Sequence, residues 1–480
     1  MEILLRLAVA SSLKYKPDLP RINFSVIPSN CFGVFVGIER SAGQAVNPRS
    51  NNIHGCIGYW DPKYTVMQPQ AIVDQIVKVA YDATWIDRRR NNFKHGLYVD
   101  LRAKYKIYFM LEPIIPVDPV TGMLEGNHIF NNREYGLIVE GSARATYLPD
   151  VFPNSPWTEI KDSLINKAGS RHGDTDRQAD NRFYAYRCQI VTMKLMDYYC
   201  VPIIGFINRF YTEFVPHHIR GREVYTDRND SVRNLATIHD ILQLKQLGYK
   251  LNLQTDKAIA SNLDYYQAQF DRNPDSMRQA SAFLLLCYYT INRDDPRAGH
   301  IADYLQKQLE SNQTRTAKPI DPVFELGEIL AALNQFDPYQ PITIAATNTL
   351  PTIQLTTDSD LVIFQYNWLS KSTKNVANRR YPKQLLGKIL KQTDYILADE
   401  PVETNYLAVA FESMATLYEP LQPNYSIVES YLANLLIELE SHKDAYGLYR
   451  FTNGEARIDI TGHVLNGLFA LLDKPLAHTV

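Results

Sequence analysis

The stretch I-H-G-C-I-G-Y-W, residues 53–60, determines the fold that we expect for the first part of the chain. This is a short run of β-branched and aromatic residues punctuated by glycine, and such a run predicts a β-strand. Residues two apart on a strand point to the same face, so His54 and Cys56 are predicted to be neighbours. An imidazole within hydrogen-bonding reach can take the thiol proton and leave a nucleophilic thiolate. Cys56 and His54 are therefore the candidate catalytic residues.

The glycines beside Cys56 leave two interpretations open. Gly55 and Gly58 permit close approach of the backbone to a ligand, and their amides could bind an oxyanion, so both are candidate binding residues. Free cysteine, however, is among the most buried residue types, and a G-C-I-G turn can need glycine for its dihedral angles alone. A reactive thiol and a buried structural cysteine thus remain alternatives.

Short β-rich runs separated by Gly, Pro and Asn surround this stretch as far as about residue 170. We predict strands at residues 32–39, 53–59, 106–113, 135–141 and 143–149. An amphipathic helix that Pro69 opens lies between the second and the third of them. Strands mixed with a few helices, without regular βαβ alternation, predict an α+β domain over residues 1–172.

The start of the chain and its composition favour a cytoplasmic protein. Residues 1–13 predict a short helix rather than a signal peptide, because Glu2 precedes any basic residue and Arg6 interrupts the apolar run. The five cysteines include no C-x-x-C pair, which argues against disulfides or structural zinc and for a reducing compartment. A net charge of −2 gives no support to nucleic-acid binding, and no uncharged stretch is long enough to span a membrane.

The apolar period becomes helical in the second part of the chain. A polar segment at residues 173–183 is the predicted linker, and residues 184–480 predict an all-α domain of antiparallel helical hairpins. Ala280, Leu284, Cys287, Tyr288 and Ile291 define one of the apolar faces. Residues 338–363 are rich in Thr, Pro and β-branched residues, and there we expect an extended excursion or a β-hairpin.

Four segments of the first domain together resemble the AMMECR domain family. They are G-V-F-V-G-I-E at 33–39, H-G-C-I-G-Y-W at 54–60, residues 136–151 and residues 157–169. The family's core motif is L-R-G-C-I-G, of which this chain has G-C-I-G, with Ile53 and His54 in place of Leu and Arg. The family's L-P-x-V element falls on Leu148, Pro149 and Val151, and its tryptophan falls on Trp157. The resemblance covers about residues 1–172.

The resemblance implies an α+β fold with a mixed sheet and an activity that is not established. Prokaryotic members keep company with Memo-type and radical-SAM proteins, which suggests an enzymatic pathway without naming a reaction. Many members carry His-Gly where this chain has Tyr135-Gly136, so Tyr135 is a candidate binding residue at the position of that histidine. His95 and His128 are weaker partners for Cys56.

We predict no metal site and no cofactor. Ligand atoms are available on His54, Cys56, His95, Glu134 and Glu140, but no spacing ties these residues together.

The second part of the chain has its own candidate residues at 445–468. An aromatic loop, an Arg/Asp pair and a T-G-H sequence follow one another there, and Thr461 is placed to cap the last helix. The candidate binding residues are Tyr446, Tyr449, Arg457, Asp459 and His463. The hairpins are similar in organisation to α/α-toroid proteins, several of which process carbohydrates. A glycoside hydrolase needs two carboxylates, and Asp459 with Glu403 or Glu412 would supply them; helix capping and ion pairing are the alternative roles.

Three functions therefore remain open. The first is thiol or covalent chemistry at Cys56 on a small or peptide-like substrate. The second is an accessory role, in which the first domain presents a pocket, the helical domain is a scaffold and another protein is the partner. The third is carbohydrate processing by the helical domain. We expect neither nucleic acid nor membrane as a partner, and the sequence does not determine the oligomeric state.

Overall fold

The structure is a computed structural model. It describes residues 1–13, 23–41, 52–93, 95–125, 128–141, 144–169, 181–221, 223–314, 320–321, 324–337, 340–352, 361–373, 380–398, 401–420, 425–444, 446–451 and 453–474. The chain forms two compact units, one of residues 1–94 and 103–195 and the other of residues 95–102 and 196–480.

The first unit is built on one antiparallel sheet. Its strands are β1 (Cys31–Glu39), β2 (Ile53–Trp60), β3 (Lys104–Val117), β4 (Met123–Leu124), β5 (His128–Ile129), β6 (Tyr135–Glu140), β7 (Arg144–Tyr147) and β8 (Arg182–Lys194). They are ordered β2-β1-β3-β8-β6-β7, with β4 paired to β3 and β5 to β4. Every pairing among the described strands is antiparallel, whereas the family resemblance implied a mixed sheet.

Three helices accompany this sheet: α1 (Glu2–Ser12), α2 (Pro69–Trp85) and α3 (Trp157–Lys167). The apolar side of α2 is buried at the positions that its periodicity predicted, including Ile76 and Ala80, and α2 packs on α1 and on β1 and β2. The predicted helix at the start of the chain is confirmed as α1, which buries Leu4 and Ala8 completely. The α+β class of this region is confirmed.

Strand β8 extends the sheet beyond the expected position of the domain boundary. We expected helices from residue 184, but β8 pairs with β3 and with β6, and the first unit continues to Leu195. The reason is that β8 is inserted between two strands that precede it by tens of residues, a long-range pairing that local periodicity does not reveal. Most of the predicted linker, residues 173–180, lies outside the described residues.

The second unit is helical, as predicted. Its helices are α4 (Leu195–Phe210), α5 (Ser231–Gln246), α6 (Leu253–Arg272), α7 (Arg278–Ile291), α8 (Pro296–Thr314), α9 (Glu325–Phe336), α10 (Pro341–Thr349), α11 (Val362–Lys371), α12 (Tyr381–Ala398), α13 (Thr404–Leu417), α14 (Tyr425–Ser441) and α15 (Ile458–Asp473). Among the helices in the described ranges, none is long and apolar enough to span a membrane.

Six of these helices are neighbours in a closed cyclic order. Helix α5 packs on α7, α7 on α9, α9 on α11, α11 on α13, α13 on α15, and α15 again on α5. Along the chain, the members of the cycle alternate with the remaining helices, which are α4, α6, α8, α10, α12 and α14. The assignment of this unit to the α/α-toroid class stays a prediction.

Two local expectations for the second unit were wrong. The described part of residues 338–363 contains helix α10 and a 3₁₀ turn at Leu350–Thr352 rather than a hairpin; Pro341 occupies the first turn of α10, where its missing N–H costs nothing. A small antiparallel sheet also interrupts the helices. Its strands are β9 (Pro216–Arg220), β10 (Glu223–Thr226), β11 (Tyr449–Arg450) and β12 (Ala456–Arg457), in the order β10-β9-β12-β11.

Candidate functional site

Cys56 lies on β2, the edge strand of the first sheet, opposite Gly37 of β1. Its side chain is half-buried and packs against an aromatic cluster that includes Phe35 and Tyr108. A β-carbon at Gly37 would lie 3.7 Å from the Cys56 Sγ and 3.3 Å from the Tyr108 ring. The thiol therefore rests in a shallow position on the sheet, between backbone and aromatic rings.

The backbone of Cys56 is held by two charged side chains from the turn that follows α2. The Cys56 N–H donates to Asp87 Oδ2 at 3.0 Å, and Arg89 Nη2 donates to the Cys56 carbonyl oxygen at 2.8 Å. Arg89 Nε also bonds both oxygens of Asp87, at 3.0 and 3.1 Å. Asp87 and Arg89 thus form hydrogen bonds with the N–H and carbonyl groups of Cys56 that a neighbouring strand would otherwise bind. Neither residue was named from the sequence.

The environment keeps the thiol protonated at neutral pH. Burial raises the pKa of Cys56 to about 11; the cationic Arg89 and Lys167 act in the opposite direction, while Asp87 and Glu39 add to the rise. A reactive cysteine instead needs a lowered pKa or an adjacent base. The geometry therefore gives Cys56 the character of a neutral thiol.

His54 is turned towards helix α2. The pairing of β1 with β2 shifts register between Ile38 and Glu39, which pair with Gly55 and Ile53 and leave His54 without an opposite residue. Such an irregularity breaks the rule that residues two apart on a strand share a face, so His54 and Cys56 are not brought together. Its Nε2 lies 3.3 Å from the Thr84 carbonyl oxygen, and its ring lies 5.6 Å from that of Phe93. Among the described residues, its Nδ1 has no hydrogen-bond partner. Burial and the nearby Arg40 lower the pKa of His54 to about 4. No hydrogen bond links His54 with Cys56 in the described part of the chain.

The glycines of the motif serve close packing. A β-carbon on Gly55 would come within 1.8 Å of the Ala83 carbonyl oxygen, and one on Gly58 within 2.1 Å of the Phe35 ring. Each glycine therefore lets β2 approach its neighbour: helix α2 at Gly55, and the aromatic side chain of β1 at Gly58. This is a structural reason for both glycines, independent of any ligand.

The remaining candidates near the motif lie in different surroundings. Tyr135 packs at the edge of a separate apolar cluster, and its hydroxyl accepts a hydrogen bond from Arg187 Nη2 at 3.1 Å. His95 belongs to the second unit, where its Nδ1 lies 2.8 Å from Glu429 Oε1. The short strand β5 carries His128, which is exposed. The described contacts bring none of the three to Cys56.

The candidates at residues 445–468 divide into an ion pair, a buried ring and a histidine. Arg457 Nε and Nη2 donate to Asp459 at 3.0 and 2.6 Å, and Arg233 Nε lies 3.3 Å from the same carboxylate. Tyr449 is only 1% exposed, so it offers no surface to a ligand, and Tyr446 packs on Phe210. These contacts give Asp459 an ion-pairing role.

His463 belongs to a buried polar cluster with Glu412 and Lys371, of which only His463 and Glu412 were named from the sequence. Its Nδ1 lies 2.7 Å from Oε2 of Glu412, a carboxylate with no exposed surface. Lys371 Nζ lies 2.6 Å from the other Glu412 oxygen, and Asn367 Nδ2 donates to Oε2 at 2.9 Å. Burial alone would raise the pKa of Glu412, but Lys371 and His463 lower it below its usual value. Glu412 is therefore a buried, ionised carboxylate.

A second carboxyl group, Asp240, faces the same cluster from α5. Burial and the charge of Glu412 raise its pKa well above the usual value, and a β-carbon on Gly462 would lie 2.6 Å from its Oδ2. Two carboxyl groups with opposite pKa shifts are typical of acid–base sites. Neither Asp240 nor Lys371 is among the candidate residues named from the sequence. A charged residue within an otherwise apolar helix is the signal that could have found them.

Helix α15 begins earlier than the T-G-H sequence suggested. It starts at Ile458, so Thr461 lies within the helix, donates to the Arg457 carbonyl oxygen at 2.9 Å and accepts from the Tyr449 N–H at 3.2 Å. Within the described ranges no three His, Cys, Asp or Glu side chains are grouped so as to hold a metal ion.

Comparison with known proteins gives one family. The AMMECR1 family model matches residues 4–191. A solved structure titled "Crystal Structure of Uncharacterized Protein PH0010 From Pyrococcus horikoshii" is 22% identical, covers 40% of this chain and 90% of that chain, and has a TM-score of 0.30. No curated protein matches the chain. The match does not extend to the C-terminal half, and it identifies an AMMECR1 domain in the N-terminal part of the chain, residues 4–191.

Proposed function

We propose that the AMMECR1 domain is a binding domain that holds a small or peptide-like ligand beside Cys56 without a covalent bond to the thiol. The observation that carries this proposal is the position of the Cys56 side chain, which is half-buried against the cluster of Phe35 and Tyr108 while His54 is directed at Thr84. In keeping with this position, burial raises the pKa of Cys56 to about 11. At neutral pH such a thiol is almost entirely protonated, and protonated thiols are poor nucleophiles. His54 is not placed to deprotonate it, because its Nε2 is directed at the Thr84 carbonyl group.

The charges near the thiol favour a ligand that carries a carboxylate. Arg89 retains 38% exposure of its side chain beside Cys56. Lys167 donates to the Thr146 carbonyl oxygen at 2.8 Å and lies 4.6 Å from the Tyr147 ring centre, and no carboxylate pairs with it among the described residues. Burial lowers the pKa of Lys167, so a bound anion would recover part of the lost solvation. This is the accessory function among the three alternatives.

Residue-resolved alkylation with iodoacetamide tests the non-covalent role. We expect Cys56 to react at pH 7 far more slowly than free cysteine, with a rate that rises about tenfold per pH unit as the thiolate forms. Cys188 is the matched control, since it is also half-buried and burial also raises its pKa. If Cys56 were alkylated at pH 7 as fast as free cysteine, the non-covalent role would be contradicted and Cys56 would be a reactive thiol.

A second experiment tests the ligand class. A library of short peptides with free C-terminal carboxylates, and the same library amidated, would be screened against the full chain by ligand-observed NMR. We expect binding to the free acids, weakened in Lys167→Met. Equal binding of acids and amides would contradict the proposal. All five cysteines are free thiols, which supports a reducing compartment, and on that ground we propose a cytoplasmic location.

A further inference from the structure

A polar cluster at the contact of three helices in the second unit has the construction of an acid–base site. We propose that Glu412, His463 and Lys371 form such a site for an oligosaccharide, with His463 as the group that accepts a proton from a ligand hydroxyl. The residues come from α13, α15 and α11, which are consecutive in the closed cycle of helices. The inference does not depend on the function proposed for Cys56.

The first step of the argument is the orientation of His463. Because its Nδ1 faces the Glu412 carboxylate at 2.7 Å, the neutral ring carries its proton there and leaves a lone pair on Nε2. No described residue bonds to Nε2, and 21% of the side chain is exposed. His463 is thus anchored on one side and open on the other, as a general base must be.

The second step concerns charge. When a ligand O–H bond breaks, its electron pair stays on the oxygen and the proton forms a bond to Nε2, so the ring becomes an imidazolium. Glu412 lies close enough to stabilise that cation, which is the role of the carboxylate in a carboxylate–histidine pair. Lys371, with 21% of its side chain exposed, supplies a positive charge for the oxygen that becomes negative. Glu412 acts through the other two and is a positioning residue.

The third step gives the ligand class. Lys371 Nζ lies 4.2 Å from the centre of the Trp368 ring, so a large aromatic face adjoins the charged groups. Trp368 is half-buried, its ring lies 6.0 Å from that of Phe283, and no described residue accepts from its indole N–H. The exposed part of an indole offers an apolar surface to the C–H face of a sugar ring, while neighbouring polar groups can bind the sugar hydroxyls. An oligosaccharide fits both features.

Binding is tested with hexasaccharides of glucose, xylose, mannose and N-acetylglucosamine on the full chain. The readout is protection of His463 from diethylpyrocarbonate, followed by mass spectrometry of its peptide. We expect at least one sugar to slow the reaction, and Trp368→Ala to raise the required sugar concentration about tenfold. Tyr395→Ala is the control, because Tyr395 is a 58% exposed aromatic residue on helix α12. If no sugar protects His463, or if Trp368→Ala is protected equally well, the ligand class is wrong.

The acid–base role is tested by the pH profile of the same reaction without sugar. The charged groups that bear on His463 are Glu412 and Asp459, with Lys371 and Asp240 facing it through Glu412. Glu412→Gln should shift the midpoint of the profile to lower pH, and Lys371→Gln should shift it to higher pH. The second variant keeps the test valid if the first does not fold. Identical midpoints in wild type and a folded variant would exclude the role.

Discussion

Cys56 in the sheet is half-buried and Glu412 in the helical unit is fully buried, and the pKa values of the two groups are shifted in opposite directions. Burial raises the pKa of each group, and for Cys56 it dominates, giving about 11. Glu412 is the more deeply buried, yet its pKa is lowered, because Lys371 and His463 contact its two oxygens at 2.6 and 2.7 Å. Burial therefore does not decide the charge of a group; the partners that accompany it do.

The two regions also use their charged residues for different purposes. In the sheet, Asp87 and Arg89 bond to each other and to the backbone of Cys56, so they complete the edge of a strand. In the helical unit, the charges converge on a side chain. The first arrangement stabilises a fold and the second stabilises a charge, which is why we place proton transfer in the second.

The largest effect should come from removing the charge at the centre of the helical cluster. Glu412→Ala leaves Lys371 and His463 without their carboxylate, and we expect a loss of about 3–5 kcal/mol in the free energy of unfolding. Urea denaturation measures it. Glu438→Ala is the control, since Glu438 is a 43% exposed residue whose nearest partner, His442, is 3.7 Å away; it should cost less than about 0.5 kcal/mol. Equal costs would mean that the cluster contributes no more than a surface pair.

The corresponding test in the sheet is steric. Gly55→Ala places a β-carbon 1.8 Å from the Ala83 carbonyl oxygen, and β2 and α2 must separate. We expect a loss of about 2–3 kcal/mol, measured by the same denaturation. Gly205→Ala serves as the comparison, because no described residue outside the backbone of its own helix lies within 4 Å of a β-carbon at that position. Alanine there should stabilise the protein by about 0.5–1 kcal/mol. An unchanged Gly55→Ala variant would refute the packing role of this glycine.

A third test compares the stability lost when the carboxyl group of Asp240 or that of Glu412 is replaced by an uncharged amide. Burial and the charge of Glu412 raise the pKa of Asp240 well above its usual value, whereas Lys371 and His463 lower the pKa of Glu412. Removing the ionisable group should therefore cost less at Asp240 than at Glu412, and Asp240→Asn should destabilise the protein at pH 7 less than Glu412→Gln does. Glu412→Gln removes a real charge and should destabilise at pH 7. Urea midpoints at pH 7 measure both. A larger loss for Asp240→Asn than for Glu412→Gln would reverse the assignment of charges.

The stability difference between wild type and Glu412→Gln should become smaller at acidic pH. The folded pKa of Glu412 is below its ordinary value of 4.5, so the stability that its charge contributes is present above that pH and is lost as the pH falls below it. The gap between wild type and Glu412→Gln should therefore narrow between about pH 5 and pH 3. A gap independent of pH would show that the glutamine acts through shape rather than charge.

A smaller effect than that of Glu412→Ala or Gly55→Ala should follow from Asp459→Asn. Asp459 retains 23% exposure and pairs with Arg457 and Arg233, so we expect a loss of about 1 kcal/mol with no change in the diethylpyrocarbonate reaction of His463 beyond a small shift of its midpoint. Denaturation and peptide mass spectrometry measure these two quantities. A variant as stable as wild type in which His463 no longer reacts would instead move Asp459 into the acid–base site.

The sequence by itself determined the elements that depend on local pattern. The run of β-branched and aromatic residues around Cys56 predicted β2, and the apolar face that begins at Ile72 predicted α2. The helical character of the second part was correct from α4 onward. These predictions succeeded because strand and helix periods bring side chains to one face over a few residues. The four AMMECR-like segments were recognisable for the same reason, since each lies within a short stretch.

Only the tertiary structure decided which of the candidate residues meet. The register shift in β1 and β2 separated His54 from Cys56, and the insertion of β8 carried the sheet to Lys194. The contact between Lys371, Glu412 and His463 depends on three helices that are far apart in sequence. Such contacts arise only when helices that are distant in sequence pack together in the folded protein. The burial and the charged neighbours that shift each pKa exist only after this packing, so the local residue pattern cannot predict them.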